Sequence, residues 1–170
     1  NLHWQPQIIH CNDWQTGLVP PLLATQAQRP ATVFTIHNLA YQGLFDWDTF
    51  EALNLPTDFW SMEAMEFHDH FSFIKGGLVF ADWLTTVSPT YAGEIQTAEF
   101  GYGLEGLISH RKHNLTGIVN GVDYSVWSPG RDTQIPVQYS QRCLFHKTEN
   151  KHALQEHFGL PVDSSRPLFA

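Results

Sequence analysis

Apolar residues along the chain gather in short runs separated by longer stretches of mixed polarity. Four runs have the length and the β-branched or aromatic content of buried strands: PQIIH at 6–10, ATVFTIH at 31–37, DWLTTVS at 82–88 and LTGIVNGVD at 115–123. Between them, WQTGLVPPLLATQAQ reads as a helix interrupted by Pro20 and Pro21, with Asp13 placed to cap its first turn. An aromatic, turn-rich segment follows, with weak helical character from Asp48 to Leu53. The spacing predicts a helix over 61–80, loosened by Gly76 and Gly77. SPTYAGEIQT starts as a helix should, with Ser88 as N-cap and Pro89 in the first helical position. KTENKHALQEHFGLP predicts a last helix ending at Gly159, and RPLFA begins a further strand.

Strands that alternate with helices imply βαβ units, hence a parallel sheet with helices on both faces. Right-handed crossovers then point all four strands the same way. The fold class is an open, Rossmann-like α/β domain running from residue 1 to about residue 130, within the usual boundary error of ~2–4 residues.

The strand ends share one property. The runs close on His10-Cys11-Asn12-Asp13, His37-Asn38, Ser88-Pro89-Thr90 and Asn120-Gly121-Val122-Asp123. In a parallel sheet these ends lie on one edge, outside which ligands of open α/β sheets bind. Asp13 and Ser88 serve equally well as helix caps or as ligand contacts. His37 and Asn120 have no such structural duty, and are the stronger candidates.

Composition narrows the function. Lys and Arg number 9 against 17 Asp and Glu, a formal net charge of −8, which argues against a general nucleic-acid binder. The chain has few groups with which to neutralise a phosphate. Two cysteines, Cys11 and Cys143, form no C-x-x-C pair and no disulfide framework, which favours a reducing compartment. No apolar run approaches the ~20 residues of a membrane span. No signal peptide is visible, and a chain that opens on Asn1 and stops at Ala170 reads as cut at both ends.

Several short patterns fail their context. GYGLEG at 101–106 spells G-x-G-x-x-G, but it follows a helix instead of a strand, so it is no dinucleotide loop. There is no phosphate-binding G-x-x-x-x-G-K-[ST] and no G-x-S-x-G elbow. His68-Asp69-His70 reads as a solvated helix face whose two histidines diverge, and SHRKHN at 109–114 as an exposed loop. No metal site is expected.

Taken in order, HCNDWQTGLVP, TIHNLAYQG, KGGLVFADWLTTVSPTYAGEIQTAEFGYGLEGLI and GIVNGVDYSVWSP resemble the bacterial glycogen synthases and plant starch synthases. The resemblance covers nearly the whole chain. It implies a two-domain GT-B glycosyltransferase that moves glucose from ADP-glucose to the non-reducing end of an α-1,4-glucan, retaining configuration and needing no metal or other cofactor. The reaction is expected in the cytoplasm, with ADP-glucose and glycogen as partners and no role for nucleic acid or membrane. By resemblance, His37 contacts the transferring glucose, Asn120 reaches the donor sugar, and Asp13 stands at the cleft edge. Tyr41 and His10 belong to the same motifs and are carried over as substrate-binding residues. The first motif departs from the common H-x-H-D-W-H: here it is His10-Cys11-Asn12-Asp13-Trp14-Gln15, with Asn12 and Gln15 where relatives carry histidine.

The resemblance also marks what the chain lacks. The family's K-T-G-G-L loop and the basic pair that holds the diphosphate are not in it. Residues 1–130 then form the later portion of the N-terminal, acceptor-side domain, and 131–170 the interdomain segment and the start of the donor-binding domain. The 170 residues alone are expected to be inactive. Other readings are a related glycosyltransferase using UDP-glucose, and a non-catalytic glucan-binding module displaying Phe45, Trp47 or Tyr102. A metal hydrolase fits least.

Overall fold

The computed structural model describes residues 4–169. They form two compact units divided between Asn120 and Gly121, where the sequence expectation put the change near residue 130.

The first unit opens with β1 (Ile8–Asn12), a single 3-10 turn at Trp14–Thr16, and α1 (Val19–Ala24). Pro20 and Pro21 sit in the first turn of α1, so they start this helix and do not interrupt it. Next come β2 (Ala31–Ile36), a short β3 (Leu44–Phe45) and α2 (Trp47–Ala52), capped by Asp46 through the Thr49 N–H.

The helix expected over 61–80 forms only in its second half. Its first half is a hairpin, β4 (Glu66–Phe67) and β5 (His70–Ser72), followed at once by α3 (Phe73–Phe80). His68 and Asp69 are the two central residues of the turn, at φ 51° and 62°. Histidine and aspartate tolerate that left-handed region better than most residues, and the Glu66 carboxylate accepts the Asp69 N–H at 2.8 Å. His68-Asp69-His70 is therefore a hairpin tip, not a helix face. Glycines 76 and 77 do not loosen α3. A Cβ on Gly77 would lie 2.3 Å from the Phe34 ring, so its bare backbone lets the helix seat directly on the sheet.

The unit closes with β6 (Trp83–Thr86), α4 (Pro89–Glu94), α5 (Glu105–His110) and β7 (Leu115–Gly117). β7 is shorter than the strand expected over 115–123. Ser88 caps α4 as expected, accepting the Tyr91 N–H at 2.9 Å. Arg111 is no loop residue: its guanidinium donates to the carbonyls of Leu78, Val79 and Ala81, and so caps the C-terminus of α3.

The four strands β1-β2-β6-β7 pair in that order and are all parallel, as the alternating pattern requires. Their registers put Cys11, Phe34, Ile36 and Leu84 on one face, buried beneath Ile74 and Leu78 of α3, Ile95 and Ile108. The sequence expects helices on both faces. Among the described residues the buried apolar contacts lie on the Phe34 face, and Ile8 and Trp83 on the other are 61% and 44% exposed. A second core gathers Phe50, Phe59, Met65 and Phe71 around the small antiparallel sheet β3-β5-β4.

The second unit is mostly irregular. Its one long helix, α6 (Lys147–His157), ends with Gly159 at φ 64°, as the sequence predicts. Asn150 holds Val137 through both its amide oxygen and nitrogen, and Gln155 does the same for Asp163. Residues 166–169 form no strand.

Candidate functional site

Because β1 and β2 are parallel neighbours, Asn12-Asp13 and His37-Asn38 leave the sheet side by side. Asp13 is itself left-handed at φ 55°, and its N–H donates to Thr35 O at 3.0 Å. Its side chain makes no cap bond to the turn that follows. Instead Oδ1 accepts the backbone N–H of His37 at 2.8 Å. The capping role read from the sequence is thus replaced by a cross-strand brace: the carboxylate spans to the next strand end because the backbone turn at Asp13 aims it there.

The His37 ring is held as well. Its Nε2 lies 3.0 Å from Asn12 Oδ1, so with that oxygen as acceptor Nε2 carries the proton. The sequence marks Asn12 only as a departure from a motif; the parallel pairing of β1 with β2 is what sets it against the His37 ring.

The loop after His37 is fixed at most of its residues. Asn38 Oδ1 accepts the Ala40 N–H, the Leu39 N–H donates to the Tyr91 hydroxyl at 3.1 Å, and the carbonyls of Gln42 and Gly43 accept the first N–H groups of α3. Gln42 Nε2 reaches Tyr102 O at 3.1 Å. Polar groups placed this firmly need little reorganisation to meet a ligand.

Two open depressions lie on this edge. One, of about 280 Å³, is lined by His37, Asn38, Val87, Tyr91, Phe100 and Tyr102. The other, of about 620 Å³, runs over Trp14, Tyr41, Gln42, Gly43 and Tyr102. His37 and Tyr41 are therefore brought to one edge, with Asp13 behind them as support.

Two further candidates, His10 and Asn120, lie apart from the depressions. His10 sits two residues before the end of β1, its Nε2 2.6 Å from Thr35 Oγ1, which in turn is 2.5 Å from Thr85 Oγ1. That row crosses three strands on the open face of the sheet. Asn120 is exposed, three residues beyond β7, and its side chain makes no hydrogen bond among the described residues. Of the aromatics, Phe45 packs on Phe73 at 4.9 Å and Trp47 on Trp60 at 4.8 Å, while Tyr102 stands free and 52% exposed.

Among the described residues no three His, Cys, Asp or Glu side chains converge as a metal set, and no helix is long and apolar enough to cross a membrane. Cys11 and Cys143 are free thiols; burial pushes the Cys11 thiol pKa up, which keeps it protonated and unreactive.

Residues 1–110 match the family described as the starch synthase catalytic domain. The chain is 61% identical over 97% of its length to a glycogen synthase 2 of Nitrosococcus oceani, and 57% identical over 98% to a glycogen synthase of Cellvibrio japonicus. It covers 34% and 35% of those two proteins, so it spans about a third of the relatives it matches. The catalytic domain of starch synthase IV from Arabidopsis thaliana, solved with ADP and acarbose, superimposes with a TM-score of 0.80 at 35% identity. That match covers 96% of this chain and 34% of the other.

Proposed function

The chain belongs to the family of the starch synthase catalytic domain, and on that premise we propose that it is the acceptor-side part of a glucosyltransferase. The whole enzyme moves glucose from ADP-glucose to the non-reducing end of an α-1,4-glucan, in the cytoplasm and within a GT-B architecture. Residues 1–130 supply the later part of its N-terminal domain, and 131–170 lead into the donor-binding domain. The ADP and acarbose bound by the Arabidopsis relative support a nucleotide donor and an α-glucan acceptor.

The observation that carries this reading is the double hold on His37, its N–H on Asp13 and its ring on Asn12. Glucosyl transfer passes through an oxocarbenium-like state whose hydroxyls must be held without an opposing positive charge. An imidazole anchored through one ring nitrogen at the rim of the depression supplies such a contact, already oriented. Asp13 acts through His37 and is a positioning residue. Asn120, exposed beyond β7, is assigned to the donor sugar, and Tyr41 to the wall of the larger depression.

Neither Lys nor Arg lines the two depressions. On this reading the donor phosphates are assigned to residues outside these depressions, and the 170-residue chain alone is expected to be inactive. The test is glucose transfer to glycogen by the full-length protein, with ADP-glucose and UDP-glucose compared. Transfer from ADP-glucose, absent from the 170-residue chain, supports the proposal. Transfer from UDP-glucose alone moves the protein to another branch of the fold. No transfer from either donor, with glycogen still bound, replaces the enzyme with a binding module.

A further inference from the structure

The turn Gly101–Leu104 carries an aromatic in a conformation that aromatics avoid. Tyr102 has φ 51° and Gly103 φ 85°, and the Leu104 N–H closes the turn on Gly101 O at 2.8 Å. Positive φ at both central positions suits Gly, Asn or Asp; a tyrosine there costs about 1–2 kcal/mol. The turn is not free to relax. A Cβ on Gly103 would lie 2.9 Å from the Phe67 ring, Leu104 is buried, and the Gln42 amide holds Tyr102 O. Backbone strain held in place on both sides, under an exposed ring, is a pointer to use.

Position gives the use. Tyr102 is the one residue common to the linings of both depressions, and His37 belongs to the smaller. Apart from His37, no titratable carboxylate or cation lines either. The edge is built for a neutral ligand with apolar faces and hydroxyl rims, not for a diphosphate. A space of about 280 Å³ lies at the lower limit of ligand pockets, which run from ~300 to 1,000 Å³, and takes a single ring more readily than a nucleotide sugar. A pyranose presents axial C–H groups on its face, and an aromatic ring with a polar tip matches that face and its hydroxyls.

We propose that Tyr102 is a sugar-stacking platform: it holds a glucosyl ring of the acceptor glucan beside His37. This rests on the glucosyltransferase reading above. The motif GYGLEG thus has a use unrelated to dinucleotides: its glycines build the turn that displays the ring.

The test compares Tyr102→Gly and Tyr102→Phe in the full-length protein, with maltooligosaccharides as acceptors and ADP-glucose as donor. Glycine is at home at φ 51°, so Tyr102→Gly removes the ring while keeping or raising the melting temperature. It is expected to raise acceptor KM about five- to tenfold, with donor KM unchanged, while Tyr102→Phe stays within about twofold of wild type. Unchanged acceptor KM in Tyr102→Gly, or a rise confined to donor KM, overturns the proposal. If the wild-type protein transfers no glucose from either nucleotide, the enzyme reading has failed, and Tyr102 is judged on maltooligosaccharide binding by calorimetry. Weaker binding by Tyr102→Gly then supports the platform, and equal binding overturns it.

Discussion

The carboxylate of Asp13, at the end of one strand, accepts the backbone N–H of His37, at the end of the next, at 2.8 Å. Added to the pairing of the two strands, this hydrogen bond sets the starting direction of the loop that carries His37, Asn38 and Tyr41. Asp13→Ala leaves that N–H without its partner. It is expected to lower stability by about 1–2 kcal/mol, read as a lower urea midpoint at unchanged slope, and to lower kcat of the full-length enzyme as well. A fall in stability with kcat intact would reduce Asp13 to a structural brace.

Asn12 holds the His37 ring from the side. Asn12→Leu keeps the size and loses the amide. The expected result is a fall in kcat of about tenfold with smaller changes in KM, because a mobile ring is in the productive pose for less of the time. Asn12→His, which puts back a side chain able to hydrogen-bond the His37 ring, should recover most of it. Steady-state kinetics of the two variants decide the matter, and equal rates in both would remove Asn12 from the site.

Asn120 is exposed beyond β7 and assigned to the donor. Asn120→Ala should raise donor KM or lower kcat more than it changes acceptor KM. An effect confined to the acceptor would exchange the assigned sides.

Stability against acid depends on a different edge. Asp82 accepts both guanidinium nitrogens of Arg29 at 2.7 Å, and the Thr32 N–H at 2.7 Å. The Arg29 hydrogen bonds hold its carboxyl well below the usual carboxylate range. A carboxyl with its folded pKa depressed adds stability that is complete above the unfolded value of ~3.9 and is lost as pH falls through the folded one. Asp82→Asn should therefore lower the melting temperature at pH 7, and the difference from wild type should shrink steadily below about pH 4. Because the pair is partly exposed, the effect is modest and screened by salt. A difference independent of pH would assign the loss to packing.

The parallel sense of the four strands and their shared polar edge were legible in the sequence because parallel βαβ units leave a strong alternating pattern and force all strand ends to one side; the strand order was not. His37 is a candidate by that route, whereas Tyr41 comes only from the family resemblance. The hairpin at Glu66–Ser72 was not. SMEAMEFHDHFS keeps a helical spacing of apolar residues, and its turn is made by His68-Asp69, with no glycine to mark it. Gly77 misled for a related reason: glycine weakens an isolated helix, but its contact with Phe34 comes from residues 43 positions away, which no local pattern reveals. The pairing of Asn12 with His37 and the strained display of Tyr102 are likewise tertiary facts. Both depend on which strand ends and loops are neighbours in space.

The most direct test of the account is His37→Ala in the full-length protein, with kcat and urea stability measured on the same preparation. Loss of the ring should lower glucose transfer by at least ~10²-fold while the urea midpoint stays close to wild type, because the backbone N–H that Asp13 holds is still there. Near-normal kcat in a folded variant would contradict the placement of the reaction at this edge.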